Sequence, residues 1–168
     1  TSLSYATARE GLALVTAPGT ERQRSQLLGS LLYSAVLLDS MDVFAREAPA
    51  AIALLDSIGD GALRARHLRR MGDAHYRRTL HPPARKYYEQ AMLAAREAGA
   101  VAELAETMSS LGSLVLEAGS APEAIGLQRS ALQLLDSIGM DSVPRVRVLG
   151  NLGYAYYWAG EPDSAIHY

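Results

Sequence analysis

The chain has 168 residues, of which 49% are hydrophobic and 20% charged, with a formal net charge of -2 and no cysteine. Such a length holds one compact domain or one short repeat array with a sizeable core, and the apolar content excludes wholesale disorder. The near-neutral charge argues against a general polyanion binder, while the missing cysteines remove disulfides, thiolate zinc sites and cysteine nucleophiles.

In chain order, helical periodicity predicts helices over 3–16, 21–38, 41–58, 61–78, 82–98, 101–118, 121–138, 143–159 and from 161 onward. In 61–78 the apolar stripe is Ala65, Leu68, Met71, Gly72 and His75. Its partner, 82–98, carries Ala84, Tyr87, Tyr88, Ala91, Met92, Ala95 and Ala98 on one side. Pro82-Pro83, Pro122 and Pro162 stand where a helix can begin, since a first-turn proline forfeits no intrahelical bond. Ser120 with Glu123 has the spacing of a capping box. No stretch alternates with the two-residue period of a half-buried strand, so the fold class expected is all-α. No apolar run approaches the ~18 residues that a membrane span requires, and a cytoplasmic location is expected.

These helices repeat. Leu54-Leu55-Asp56-Ser57-Ile58-Gly59 recurs 80 residues later as Leu134-Leu135-Asp136-Ser137-Ile138-Gly139, with Arg96-Glu97-Ala98-Gly99 midway. Gly19, Gly59, Gly99 and Gly139 thus mark a 40-residue period and are expected to close helices with positive φ. Met71-Gly72, Leu111-Gly112 and Leu152-Gly153 form a second series, each followed twelve residues on by Ala84, Ala124 or Ala165. The predicted units are 1–20 (partial), 21–60, 61–100, 101–140 and 141–168 (partial), one array over 1–168. Incomplete terminal units imply a piece of a longer protein, with self-association through the open ends. Gly72 is expected to face Ala84 across one hairpin, Gly112 to face Ala124 and Gly153 to face Ala165, small side chains letting helix axes approach.

A helical hairpin with Leu-Gly, an aromatic position three residues on, then a small residue and a further aromatic, resembles the tetratricopeptide repeat (TPR). Asn151-Leu152-Gly153-Tyr154-Ala155-Tyr156 with Ala165 and Tyr168 is the best copy; Met71-Gly72 with His75, Ala84, Tyr88 and Ala91 is the next. The resemblance implies a right-handed α-solenoid of antiparallel helix pairs. The 40-residue length is similar to units in large bacterial transcription regulators, in kinesin light chains and in peptide-sensing regulators. What that implies is a non-enzymatic scaffold binding a protein or peptide, the interaction or sensor region of a multidomain regulator. The alternatives are a structural solenoid inside a larger enzyme or ATPase, or a small-molecule-sensing groove.

If the first helix of each pair lines a concave groove, as the resemblance implies, the groove residues follow from a second stripe. They are Gln26, Ser30 and Tyr33, then Arg66, Arg69, Arg70, Asp73 and Arg77 with Tyr76 nearby, then Glu106, Ser109, Ser110, Ser113 and Glu117, then Arg147, Gly150, Asn151, Tyr154, Tyr157 and Trp158. Guanidinium forks and tyrosine faces suit an acidic segment with apolar anchors. The bland alternative is internal pairing of Arg66 with Glu106 and of Arg77 with Glu117. His67, His75 and His81 lack metal-ligand spacing, and His75 falls at the aromatic core position. No nucleophile elbow or phosphate-binding glycine loop is present, so no catalytic residue, metal or cofactor is expected. The acidic stripe beside the arginines opposes nucleic acid.

Overall fold

The computed structural model describes residues 2–140 and 143–168, with side chains from residue 5 onward. Residues 1, 141 and 142, which the predicted units 1–20 and 141–168 include, lie outside the described residues. The elements are α1 (Ser2–Leu14), α2 (Glu21–Leu37), α3 (Met41–Ile58), α4 (Gly61–Arg77), α5 (His81–Glu97), α6 (Val101–Glu117), α7 (Ala121–Ser137), α8 (Val143–Trp158) and α9 (Pro162–His167). The fold is all-α, a solenoid of antiparallel helix pairs, and each helix lies within two residues of its predicted bounds. Among the described residues no helix is long and apolar enough to cross a membrane.

A recurring hydrogen-bond motif makes the turns short. At the ends of α2, α4, α5, α6, α7 and α8 the chain places one left-handed residue: Asp39, Thr79, Gly99, Gly119, Gly139 and Gly160. The next residue then donates its backbone N–H to a carbonyl five positions back, as from Ser120 to Val115 at 3.0 Å and from Leu80 to His75 at 2.9 Å. This 6→1 bond satisfies an orphan carbonyl, and at Ser40, Leu80, Ala100, Ser120 and Glu161 the donor residue doubles as the N-cap of the following helix. It also explains a correction: Ser120 makes no side-chain cap. Its N–H, which Glu123 would have to engage in a capping box, is already spent on Val115. Asp60 does cap α4, accepting from the Leu63 N–H at 2.9 Å.

The helices form two layers. Helices α2, α4, α6 and α8 touch one another in succession, whereas the second helices α3, α5 and α7 touch only first helices. Closer spacing in the first layer than in the second bends the array so that α2, α4, α6 and α8 line its concave side. The core lies between the layers: Leu28, Leu32 and Phe44 join Met71 and Ala74, and Tyr88 joins Leu111, Leu114 and Ala124. His75 is 2% exposed, with its ring 5.0 Å from Phe44 and 5.2 Å from Tyr87. His67 is buried between α4 and α2, its ring nitrogens each 3.0 Å from a carbonyl, of Leu63 and of Ser25. Burial pushes both imidazoles below their ordinary value.

The mid-helix glycines have larger neighbours than the alanines expected opposite them. A Cβ on Gly72 would lie 2.5 Å from the Tyr88 ring, and one on Gly112 would lie 2.6 Å from Gln128 Nε2. Ala84 and Ala124 are themselves fully buried, one turn earlier on α5 and α7. Helix α5 thus lays Tyr88, rather than Ala84, into the notch that Gly72 leaves. Gly153 does approach Ala165, whose carbonyl oxygen would lie 3.2 Å from an added Cβ, beside Tyr168.

Candidate binding groove

The concave face divides into spent and unspent side chains. Arg66 reaches Glu103 at 2.6 Å, and Arg69 reaches Glu106 at 3.0 Å and Asp73 at 3.3 Å. Arg147 approaches Glu106 from the other side at 3.0 Å. These pairs make a ladder across α4, α6 and α8, with Arg69, Glu103 and Glu106 largely withdrawn from solvent. The expected partners Arg66–Glu106 and Arg77–Glu117 are not the ones formed. Adjacent inner helices are staggered, so that an arginine on α4 meets the carboxylate 37 positions on rather than its repeat equivalent. Arg77 points the other way, donating to the Tyr33 hydroxyl at 2.9 Å, while Glu117 accepts from the Tyr76 hydroxyl. Burial, reinforced by Glu117, holds the Tyr76 phenol well above its usual range, so it remains a donor.

Arg70 and Arg77 form no ion pair among the described residues. Both attend Tyr33: the Arg70 guanidinium lies 5.9 Å from the ring centroid and Arg77 holds the hydroxyl. The two therefore present the available positive charge of the groove, with Arg66 and Arg69 already neutralised by carboxylates.

Between α4, α6 and α8 runs a cleft of about 340 Å³ whose walls include Arg77, Asp73, Ser110, Arg147 and Asn151. It continues, through the shared residues Tyr76, Ser113 and Asn151, into a narrower pocket of about 160 Å³ beside Tyr154. Asn151 donates to the Ser109 hydroxyl at 3.1 Å, and no hydrogen bond to its carbonyl oxygen is formed among the described residues. Of the predicted groove residues, Asp73, Tyr76, Arg77, Arg147, Asn151 and Tyr154 line this space. Arg66, Arg69, Arg70 and Tyr157 do not; Tyr157 stands exposed, its ring edge-on to Trp158.

Gln128 escaped the sequence reading because it belongs to a second helix, where only core was expected. The available signal was its repeat position, forty residues after Tyr88. In that earlier pair the Tyr88 hydroxyl donates to Asp73 at 2.9 Å and fills the space between α4 and α5.

A larger depression, about 640 Å³, lies at the start of α4, far from these side chains. Its Asp60 is paired with Arg22 at 2.6 Å and its Arg64 with Asp56 at 2.7 Å. Its open floor of glycine and alanine offers few unspent groups, so the concave cleft is the better candidate. Among the described residues no three His, Asp or Glu side chains are grouped to hold a metal ion.

No protein-family model matches the sequence, and no curated protein matches it. Solved structures do match. BtubC (BKLC) from P. vanneervenii superposes with a TM-score of 0.74 at 18% identity, over 96% of this chain and 67% of its own. A Rap protein in complex with Competence and Sporulation Factor superposes with a TM-score of 0.75 at 17% identity, over 97% of this chain. The chain spans only 44% of that Rap protein's length. At such identities the likeness concerns the backbone, and with the helix pairs described above it establishes the architecture: the chain has the fold of a TPR-like helical-repeat solenoid.

Proposed function

We propose that the concave face of α4, α6 and α8 binds an extended segment of a protein or peptide. The observation that carries this reading is the continuous cleft from Arg77 to Tyr154, walled by hydroxyls, amides and tyrosine faces. Such walls favour a backbone with side chains of mixed character over a small apolar ligand. The Rap protein of similar fold is complexed with Competence and Sporulation Factor, a precedent for ligand binding by this kind of solenoid. An acidic residue of the segment would engage Arg70 and Arg77, while Asn151 would accept from its backbone. The groove would serve as the interaction or sensor region of a multidomain bacterial transcription regulator.

The ladder of Arg66, Glu103, Arg69, Glu106 and Arg147 favours a second role for the remaining charges. They brace three units against one another.

Displayed random peptides selected on the whole chain, then measured by fluorescence anisotropy, test the groove. Arg77→Ala and Asn151→Ala should each weaken a selected peptide about tenfold, the loss typical of one interface hydrogen bond to a charged or buried group. Lys86→Ala, at an exposed position of α5, should leave binding unchanged. Equal binding by all three variants would refute the reading.

A further inference from the structure

The narrow pocket beside Tyr154 has a structural origin in the repeat. In the α4–α5 pair, Tyr88 and Asp73 meet across the hairpin and occupy the space above Gly72. Forty residues on, Gln128 and Ser113 hold the equivalent places. Both are shorter, and the space that a tyrosine and an aspartate fill in one unit is left as a pocket of about 160 Å³ in the next.

The hydroxyls of Ser113 and Tyr76 and the amide N–H of Asn151 in its lining already donate within the protein, whereas Gln128 and Glu117 offer acceptors. Gln128 is 1% exposed; its Nε2 donates to the Ser109 carbonyl at 2.9 Å, and its Oε1 has no hydrogen-bond partner. A buried carbonyl oxygen without a donor is costly and calls for one. The half-exposed Glu117 carboxylate also lines the pocket; its neighbours are the Tyr76 hydroxyl and His81, 3.5 Å away, and among the described residues no arginine or lysine pairs with it. Tyr76 and Tyr154 form two walls, and tyrosine faces attract cations. No arginine or lysine belongs to the lining.

We infer that this pocket is a subsite for a cationic side chain, a guanidinium or ammonium group, carried by the segment that the groove binds. The inference rests on the peptide-binding reading and sharpens it. The groove is then dipolar, with Arg70 and Arg77 receiving an anionic group at one end and Glu117, Gln128 and the two tyrosines receiving a cation at the other. A segment carrying both signs fits it, in one orientation.

The direct test uses small probes on the whole chain. N-acetyl-arginine amide is titrated at low ionic strength against its neutral isostere N-acetyl-citrulline amide and against N-acetyl-leucine amide, followed by ¹H–¹⁵N NMR. The arginine probe should give saturable shifts at Gly112, Tyr154 and the Gln128 side-chain amide, with about tenfold tighter binding than citrulline. Glu117→Gln should reduce that preference to about twofold or less, and Gln128→Leu should weaken the arginine probe while thermal melts confirm folding. Equal shifts from all three probes, or none at the pocket, would overturn the inference. Groove-selected peptides without a basic residue, insensitive to Glu117→Gln, would also overturn it while leaving the peptide-binding reading intact. If instead no selected peptide maps to the groove but the arginine probe still saturates here, the reading fails and the cation pocket stands.

Discussion

The Arg69 guanidinium lies 3.0 Å from the Glu106 carboxylate, an ion pair between α4 and α6 in which neither side chain is more than 18% exposed. Glu106 is shared with Arg147 of α8, so one carboxylate ties three inner helices together. Removing one member of a withdrawn pair strands its partner. Arg69→Met should therefore lower stability by about 2 kcal/mol. In a double-mutant cycle with Glu106→Gln, denaturant melts should show a coupling of about 1 kcal/mol. Strict additivity would mean that the ladder is ornamental.

Thr79 holds a left-handed conformation, φ 56°, at the turn where Gly119 and Gly160 stand in later units. A β-branched residue is strained there, by about 1–2 kcal/mol. Thr79→Gly should raise the denaturant midpoint, with a net gain of about 0.5–1 kcal/mol after the entropy of glycine is counted. A lowered midpoint would show that the threonine side chain contributes more than its strain.

The two hairpin glycines should respond differently to alanine. At Gly72 the new methyl group meets the rigid ring of Tyr88 at 2.5 Å; at Gly112 it meets the end of the flexible Gln128 side chain at 2.6 Å. Gly72→Ala should cost about 1–3 kcal/mol. Gly112→Ala should be near neutral, because the amide can move aside and alanine favours the helix by ~1 kcal/mol. Equal losses measured by urea unfolding would contradict this ranking.

Acid should destabilise the array through its buried histidines. His67 and His75 lie below their ordinary value of 6.5 because burial disfavours the cation. As pH falls through 6.5 the unfolded chain takes up protons that the folded chain resists, so stability declines with acidification. Each histidine adds a slope of at most about 1.4 kcal/mol per pH unit. His75→Phe, which keeps an aromatic ring beside Phe44 and Tyr87, should flatten the stability profile between pH 7 and pH 5. A variant as acid-sensitive as the parent would place the titration elsewhere.

The architecture was legible because a short turn needs a left-handed residue, and Gly99 and Gly139 announce it at a fixed period. Asp39 and Thr79 occupy the same conformation without a glycine, so they carried no such signal. Periodicity also put Asp73 and Arg77 on one stripe and Asn151 and Tyr154 on another, since a helical stripe needs only sequence spacing; that such stripes face a groove was implied by the TPR resemblance alone. It could not give the stagger between helices, which decides that Arg66 meets Glu103 and not Glu106. Nor could it show the pocket at Gln128. That space exists because two side chains on different helices are both short, and such a vacancy belongs to the assembled hairpin.

In the proposed role the inner helices hold an extended segment. Hydrogen–deuterium exchange of the whole chain with and without a selected peptide tests it most directly, since bound backbone protects the surface it covers. Protection concentrated in α4, α6 and α8, around Arg77, Asn151 and Tyr154, is the predicted result. Protection confined to α5 and α7, with the inner helices unchanged, would contradict it.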